Sequence, residues 1–171
     1  GPYVVVGAHV KIAEGTRIQS HAVVDGLTTI GRGNIIFPFA TVGTIPQDLK
    51  YQGEPSELII GENNTIREFA SLNPGTVGGG MITRVGNHNL LMMYCHMAHD
   101  CIVGNRNVIA NGATLGGHVA IEDNVIVGGL VGIHQFVRIG TGAILGAGSM
   151  VSKDVPPFCN ATGDRARLHG L

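Results

Sequence analysis

The stretch that decides the fold runs from Val85 to Val151 and reads, in groups of six, VGNHNL LMMYCH MAHDCI VGNRNV IANGAT LGGHVA IEDNVI VGGLVG IHQFVR IGTGAI LGAGSM V. An aliphatic residue opens every group, twelve times in succession. The fifth residue of each group is mostly small or β-branched, and the second is often glycine. The same six-residue frame extends upstream from Val6 to Val42 and returns at Ile60, Ile66 and Leu72. This periodicity identifies a repeat protein.

A period of six fits neither an α-helix nor a simple alternating strand, but it fits one short strand and one turn per repeat. The first and fifth residues are then expected to point inward, and glycine to adopt the turn conformations that other residues resist. Three repeats close a triangular coil, so residues 18 apart stack at about 4.8 Å. The sequence therefore predicts an all-β parallel β-helix, whose coils bury a core only by stacking. The pattern resembles that of left-handed β-helices, and this resemblance supplies the handedness.

Two segments interrupt the frame. Residues 44–59 are polar and contain two prolines, and residues 77–84 contain three glycines. Counting the repeats in threes places both insertions at the same corner of the prism, beside His99. The β-helix is expected over residues 1–158, and residues 159–171 as a tail that begins a truncated helical domain.

Composition limits the possible partners. The 171 residues carry a net charge of −1, 13% charged side chains, three cysteines and no long apolar run. Nothing indicates nucleic-acid binding or a membrane span. An odd number of scattered cysteines argues against a disulfide framework or a zinc module. A reducing cytoplasm is the simplest expectation for the location of the protein.

The chemistry concentrates in the segment YCHMAHD, residues 94–100. His99 is a candidate general base near neutral pH. Asp100 can orient it only at a bend, because neighbours on a strand point to opposite faces. The alternative is that these are ordinary histidines at exposed turns.

The 18-residue register brings further polar residues above His99. Gly117 and His118 follow one coil later, and His134 and Gln135 two coils later. In the first insertion, Asp48 and Lys50 are a candidate clamp for an anionic or hydroxylated ligand, or simply a solvated loop. The other histidines have no such alignment and are expected at the surface; they are His9, His21, His88 and His169.

Together with the repeats, the segments QDLKYQGEP, HMAHDCIVGN, LGGHVAIED, IHQFVRIG and KDVPPF resemble the UDP-N-acetylglucosamine O-acyltransferases of lipid A biosynthesis. The resemblance covers nearly the whole chain. It implies a cytoplasmic homotrimer that transfers an R-3-hydroxyacyl group from acyl carrier protein to the glucosamine 3-hydroxyl of UDP-N-acetylglucosamine, with sites between subunits and no metal.

The resemblance also implies residue roles. His99 corresponds to the general base, Asp100 to its partner, and Gly117 to the N–H donor that stabilises the oxyanion. Ala147 corresponds to the acyl-length ruler, where glycine is the better-known occupant. The substrate contacts it implies are Asp48, Lys50, His96, His118, His134 and Gln135.

The sequence departs from the family pattern at a few places. Asn73 stands where the family has a histidine, and the methyl group of Ala147 is expected to shorten the preferred acyl chain. The arginine-bearing helical domain and the first coil of the family are not matched, which bears on phosphate binding and trimer cohesion.

Three other functions remain open from the sequence. A related N-acyltransferase of the same pathway is expected to carry a separate N-terminal domain. A γ-type carbonic anhydrase needs three zinc-binding histidines, two of them in H-x4-H spacing, which this sequence lacks. A catalytically impaired fragment that acts as a trimeric scaffold is also possible, because a fold does not dictate function.

Overall fold

The computed structural model describes residues 1–170 as a parallel β-helix with three sheets. Each six-residue repeat contributes one short strand and one turn, and every third strand joins the same sheet. Strands stack in parallel, and residues 18 apart pair in register, as in Met97 with Leu115 and Leu115 with Ile133. The predicted three-sided architecture is therefore confirmed.

The first sheet contains β1 (Val5–Val6), β4 (Val23–Val24), β7 (Thr41–Val42), β10 (Ser71–Leu72), β13 (His96–Met97), β16 (Thr114–Leu115), β19 (Gly132–Ile133) and β22 (Met150–Val151). The second sheet contains β2 (Lys11–Ile12), β5 (Leu27–Ile30), β8 (Glu57–Ile60), β11 (Ile82–Val85), β14 (Ile102–Val103), β17 (Ala120–Ile121) and β20 (Arg138–Ile139). The third sheet contains β3 (Arg17–Ile18), β6 (Ile35–Ile36), β9 (Thr65–Ile66), β12 (Leu90–Leu91), β15 (Val108–Ile109), β18 (Ile126–Val127), β21 (Ile144–Leu145), β23 (Asn160–Thr162) and β24 (Arg167–His169). We name each corner by the two sheets that it joins.

The core fills the interior of the prism as the repeat predicts. All twelve repeat-opening aliphatic residues from Val85 to Val151 are at most 3% exposed. The small fifth-position residues are buried with them, from Cys95 to Ser149. Each coil therefore covers the apolar side chains of its neighbours, which is what makes the stack stable.

The turns differ from expectation. Positive φ occurs at the fourth residue of the repeat, often in non-glycine residues such as Tyr94 (φ 60°) and Asp100 (φ 60°), rather than at the second-position glycines. Those glycines are needed for space instead. A Cβ at Gly86 would lie 2.5 Å from the carbonyl oxygen of Gly104, and one at Gly116 would lie 2.7 Å from the nitrogen of Gln135. Such distances leave no room for a side chain between coils.

Asparagines replace the small fifth residue along the 2–3 corner and form a buried ladder. Its members are Asn34, Asn64, Asn89 and Asn107, each at most 2% exposed. The Asn64 side-chain oxygen accepts hydrogen bonds from the backbone N–H and the side chain of Asn89, at 2.9 and 3.0 Å. The Asn89 oxygen in turn accepts one from the Asn107 N–H. The ladder thus gives buried backbone groups hydrogen-bond partners that the turns do not provide.

At the 3–1 corner, stacked rings replace the asparagine ladder. His21 lies between Tyr3 and Phe39, with ring centroids 5.0 and 4.9 Å away, and the stack continues through Phe69 to Tyr94. His21 is exposed, as expected for a surface histidine, and so are His9, His88 and His169.

Both insertions leave the first sheet and enter the second, so they emerge at the 1–2 corner as predicted. The paired residues Val42 and Leu72 are 30 apart in sequence, and Leu72 and Met97 are 25 apart. The excursions end earlier than expected, because β8 begins at Glu57 and β11 begins at Ile82. A single turn of 3₁₀ helix, Val77–Gly79, lies in the second insertion.

The tail forms strands where a helical segment was expected. β23 pairs in parallel with β21 and so continues the third sheet, and β24 folds back antiparallel against β23. No helix within residues 1–170 has the length and apolar character needed to cross a membrane.

Candidate functional site

The 1–2 corner brings His99 and Asp100 into contact. Asp100 has a φ of 60°, so the chain bends there and both side chains turn to the same side. The Nδ1 atom of His99 lies 2.8 Å from Oδ2 of Asp100. The contact was expected only if the chain bends between the two residues, and Asp100 occupies the turn position of the repeat, where the chain does bend.

This contact determines which nitrogen carries the hydrogen in the neutral imidazole. An ionised carboxylate only accepts hydrogen bonds, so Nδ1 of His99 carries the hydrogen and Nε2 keeps its lone pair. The His99 side chain is 18% exposed, whereas that of Asp100 is 1% exposed. The basic Nε2 of His99 therefore lies near the surface, and the buried carboxylate of Asp100 lies on the other side of the ring.

The second insertion holds the Asp100 carboxylate in place. The backbone N–H of Thr76 donates to Oδ1 at 2.9 Å, and its hydroxyl donates to Oδ2 at 2.6 Å. The backbone N–H of Asp100 donates to Oγ1 of Thr83 at 2.8 Å. These donors satisfy a buried charge that would otherwise be costly.

Gly117 lies directly against the His99 ring, one coil later. A Cβ at Gly117 would be 2.6 Å from Cε1 and 2.8 Å from Nε2 of His99. The N–H of Gly117 has no hydrogen-bond acceptor within the part of the chain that the structure describes. The site thus places the His99 ring against a residue whose backbone N–H is without an acceptor among the described residues.

His118 and Phe136 continue this column of side chains. The His99 and His118 rings meet edge to face at 5.1 Å, and Phe136 stacks on His118 at 4.3 Å. Nε2 of His118 lies 4.0 Å from Oδ2 of Asp100, which is beyond a hydrogen bond. The carboxylate is thus directed at His99 rather than at His118.

His99, Asp100 and His118 can also offer three ligand atoms to a metal ion, all within 4.8 Å of one another. In this arrangement Oδ2 of Asp100 already accepts hydrogen bonds from Thr76 and His99. The Asp100 carboxylate is therefore already engaged with His99 and Thr76, and the geometry suits proton transfer better than metal binding.

His96 points outward from β13 on the same side. Its Nδ1 lies 2.6 Å from the hydroxyl oxygen of Ser71 in the strand below. Burial, and to a smaller extent the charge of nearby His99, lowers the pKa of His96 from its ordinary 6.5. His96 is therefore neutral at pH 7 and offers its ring as a hydrogen-bonding group.

The first insertion closes over the histidines. Asp48 and Lys50 line a pocket of about 510 Å³ together with His99, His118, Gln135 and Phe136. Oδ1 of Asp48 accepts a hydrogen bond from the backbone N–H of Lys50. The side chain of Lys50, with its ammonium group, is exposed. A second pocket of about 670 Å³ separates the two insertions. The pocket thus combines a cation, a carboxylate and imidazoles, which suits a polar or anionic ligand.

An apolar groove begins at the same corner and runs along the first sheet. Its volume is about 480 Å³, and its lining residues are Thr114, Gly116, Gly117, Gly132, Ile133, His134, Gln135, Met150, Val151 and Ser152. His134 and Gln135 lie at its mouth and are exposed. Gly132 contributes no side chain, so the groove has a flat floor beside the polar pocket.

Ala147 is not brought to this pocket within one chain. It follows β21 and is exposed at the 3–1 corner, at the opposite edge of the first sheet. All the other predicted site residues lie along the 1–2 corner or on the adjoining edge of the first sheet.

Known proteins share both the repeat and the whole fold. Residues 82–117 match the family model "Bacterial transferase hexapeptide (six repeats)". The acyl-[acyl-carrier-protein]–UDP-N-acetylglucosamine O-acyltransferase of Aliarcobacter butzleri is 58% identical over 142 residues, which is 83% of this chain and 55% of that protein. The chain therefore spans about half the length of the curated relatives it matches.

Solved structures cover all of this chain. LpxA from Acinetobacter baumannii superposes with a TM-score of 0.92 at 46% identity, over 100% of this chain and 71% of that one. The UDP-N-acetylglucosamine O-acyltransferase from Moraxella catarrhalis gives a TM-score of 0.89 at 37% identity, over 100% and 74%. This chain belongs to the UDP-N-acetylglucosamine O-acyltransferase family. The fold is accordingly the left-handed parallel β-helix that the repeat pattern predicted.

Within this family fold, three residues next to the candidate site were missed from the sequence. Phe136 was detectable, because it lies 18 residues beyond His118 at the same turn position. Ser71 is 25 residues before His96, so the second insertion hides its register. Thr76 is the fifth residue of the repeat that Leu72 opens, directly before that insertion, and the broken register hides its approach to Asp100.

The three cysteines are buried free thiols and lie outside the site. Burial raises the pKa of the Cys95 and Cys101 thiols to about 12. They are therefore protonated at neutral pH and behave as small core residues.

Proposed function

We propose that this chain carries the catalytic β-helix of an acyl-[acyl-carrier-protein]–UDP-N-acetylglucosamine O-acyltransferase, the enzyme of the first step of lipid A biosynthesis. It transfers an R-3-hydroxyacyl group from acyl carrier protein to the glucosamine 3-hydroxyl of UDP-N-acetylglucosamine. The family membership supports this activity, since the curated relatives bear that name. The observation that carries the proposal is the His99–Asp100 pair, which leaves Nε2 without a partner in the pair and sets the ring against Gly117.

The first step is attack on the thioester. Nε2 of His99 removes the proton of the 3-hydroxyl as the oxygen bonds to the thioester carbonyl carbon. The carbonyl π electrons move onto the oxygen, and the Gly117 N–H stabilises that oxyanion. Asp100 stabilises the imidazolium that forms, because its carboxylate lies 2.8 Å from Nδ1.

The second step is collapse of the tetrahedral intermediate. The oxyanion re-forms the carbonyl, the carbon–sulfur bond breaks, and the thiolate of the carrier protein leaves. The imidazolium of His99 returns its proton to that sulfur, which restores the neutral base. The thioester supplies the driving force, so the scheme uses no metal or cofactor.

The surrounding residues suit the two substrates. Lys50 offers a positive charge for the diphosphate, and Asp48 and His118 offer hydrogen bonds to the sugar nucleotide. His96, His134 and Gln135 lie where the sugar nucleotide and the acyl donor meet, and the apolar groove beside them suits an acyl chain. Ala147 limits the acyl length from the chain that forms the other wall of the site.

We further propose that the chain forms a homotrimer in the cytoplasm, with sites between subunits. Exposed apolar side chains on the outer faces of the coils support association: Ile102, Ile126, Ile144 and Met150 are each 43–52% exposed. The position of Ala147, away from the pocket of its own chain, also suits a site completed by a neighbour. Sedimentation equilibrium tests this assembly, and a monomer at every concentration would contradict it.

The activity is tested with UDP-N-acetylglucosamine and a panel of R-3-hydroxyacyl carrier proteins, by following the acylated nucleotide sugar. His99→Ala is expected to lower kcat/KM by about 10²–10⁴-fold, because a positioned general base contributes that much. His88→Ala, at an exposed turn of the 2–3 corner, is the control and should retain full activity. Full activity in His99→Ala would exclude this mechanism. Loss of activity with an intact trimer would exclude a silent scaffold.

A further inference from the structure

The second insertion closes directly over the Asp100 carboxylate. A Cβ at Gly79 would lie 2.0 Å from Cγ of Asp100, so the loop backbone contacts the carboxyl group itself. Thr76 is 4% exposed and sits at the start of the loop. Its carbonyl oxygen accepts hydrogen bonds from the N–H groups of Gly79 and Met81, at 3.1 and 2.9 Å. Thr76 thus ties the loop together while its own donors point at Asp100.

The two donors of Thr76 address different oxygens of the carboxylate. The N–H reaches Oδ1 and the hydroxyl reaches Oδ2, which also faces Nδ1 of His99. Together they fix the plane of the carboxylate, because rotation about the Cβ–Cγ bond would break both contacts. A second imidazole lies nearby, since Nε2 of His118 is 4.0 Å from Oδ2, which is too far for a hydrogen bond in the present orientation of the carboxylate. The orientation of the Asp100 carboxylate therefore determines which histidine donates a hydrogen bond to it.

We propose that Thr76 is a positioning residue for acyl transfer: its hydroxyl holds Oδ2 of Asp100 on Nδ1 of His99 and so selects His99, rather than His118, as the base. This inference rests on the proposed function. The hydroxyl of Thr76 donates to Asp100, so Thr76 acts on the reaction through that carboxylate. A hydrogen bond to a charged group is strong enough for its loss to slow the chemical step about tenfold.

The test compares Thr76→Val with Thr76→Ser. Valine keeps the backbone N–H, the β-branched shape and the fold of the loop, and removes only the hydroxyl. We expect kcat to fall about tenfold with little change in KM, because substrate contacts are untouched. Thr76→Ser keeps the hydroxyl and should restore most of kcat.

Thr28→Val is the matched control. Thr28 is 1% exposed at the same corner of an earlier coil, and its hydroxyl donates to the carbonyl oxygen of Asp25 at 2.6 Å. Its loss should lower the melting temperature and leave kcat unchanged. An equal loss of kcat in both valine variants would show a general stability effect and overturn the assignment.

A double-mutant cycle separates positioning from loop folding. In an Asp100→Ala background, Thr76→Val should cause no further loss, since the group it orients is gone. A further tenfold loss in that background would refute the proposal.

A spectroscopic measurement keeps the inference independent of the substrate. In ¹⁵N-histidine-labelled protein, the Nδ1 proton of His99 should give a downfield, slowly exchanging signal that Asp100→Asn removes. Thr76→Val should weaken or broaden that signal, and an unchanged signal would overturn the proposal. If the wild-type chain transfers no acyl group, the proposed function fails, and this signal still decides whether Thr76 orients the pair.

Discussion

The contact between Gly117 and the His99 ring makes Gly117→Ala a sensitive probe of the site. The new Cβ would lie 2.6 Å from Cε1, whereas ordinary van der Waals contacts begin at 3.4 Å. The ring must therefore retreat by about 0.8 Å or tilt away from its hydrogen bond with Asp100. Gly117 does not have a positive φ, so alanine is compatible with the backbone there. The variant should fold while displacing the base.

A displacement of this size should cost about 10²-fold in kcat/KM, because a misplacement near 1 Å removes that much rate. The corresponding barrier increase is about 2.7 kcal/mol. The alanine variant keeps the backbone N–H, so the loss reports the ring position rather than the amide donor. Initial rates of acyl transfer to UDP-N-acetylglucosamine measure it, alongside a thermal unfolding curve to show that the coils are intact.

Gly129→Ala is the control for this experiment. Gly129 follows a repeat-opening Val–Gly pair just as Gly117 follows Leu–Gly, but a Cβ there meets only the carbonyl oxygen of Asn111, at 3.4 Å. It should retain wild-type activity. If Gly117→Ala stays within threefold of wild type while folded, the ring of His99 does not need its observed place, and the role of His99 as the base is refuted.

Three further perturbations test other parts of the structure. Asn89→Ala interrupts the buried ladder, because the Asn107 N–H loses its acceptor and the carbonyl oxygen of Gly104 loses the Asn89 side-chain donor, so urea unfolding should show a loss of about 2–3 kcal/mol; exposed Asn111→Ala is the control, and an equal loss there would refute a special role for the ladder. Because the pKa of His96 is lowered by burial, the unfolded chain binds more protons than the folded one below pH 6.5. The free energy of unfolding should therefore fall as the pH drops from 6.5 towards the lowered pKa of His96, and the full contribution of neutral His96 to stability should be retained above pH 6.5. In His96→Gln the dependence of stability on pH should be shallower. An unchanged dependence would assign it to other groups. Ala147→Gly should shift the preferred donor to longer acyl chains in a competition among hydroxyacyl carrier proteins, and an unchanged preference would remove the ruler assignment.

The repeat predicts the fold well because each position has one environment. A residue that opens a repeat, such as Leu115, must point inward in every coil, so periodicity alone places it in the core. The role of the second-position glycines was less predictable. Gly116 has an ordinary backbone conformation, and only the three-dimensional closeness of the next coil shows why a side chain is excluded.

The site was predictable where the 18-residue register continues and not where it breaks. Counting forward from His99 reaches Gly117, and the structure places the two in contact. Thr76 directly precedes an insertion whose length follows no repeat, so its approach to Asp100 could not be counted from the register. The strands of the tail were missed for a related reason, because β23 follows Pro156 and Pro157 and leaves the frame before it pairs with β21.

The stability of the β-helix and the geometry of the candidate site depend on the same hydrogen bonds. The N–H of His118 donates to the carbonyl oxygen of His99 at 3.0 Å, so the backbone itself ties the coil of the base to the coil of the amide donor. The spacing of stacked coils, about 4.8 Å, therefore sets the distance between the two backbones, and the contact with Asp100 holds the ring of His99. In the proposed mechanism, the imidazole and Gly117 are then already next to each other before a substrate binds. The free energy of stacking the coils holds the two proposed groups in place before a substrate binds. Such preorganisation is expected of a site that stabilises charge in the transition state.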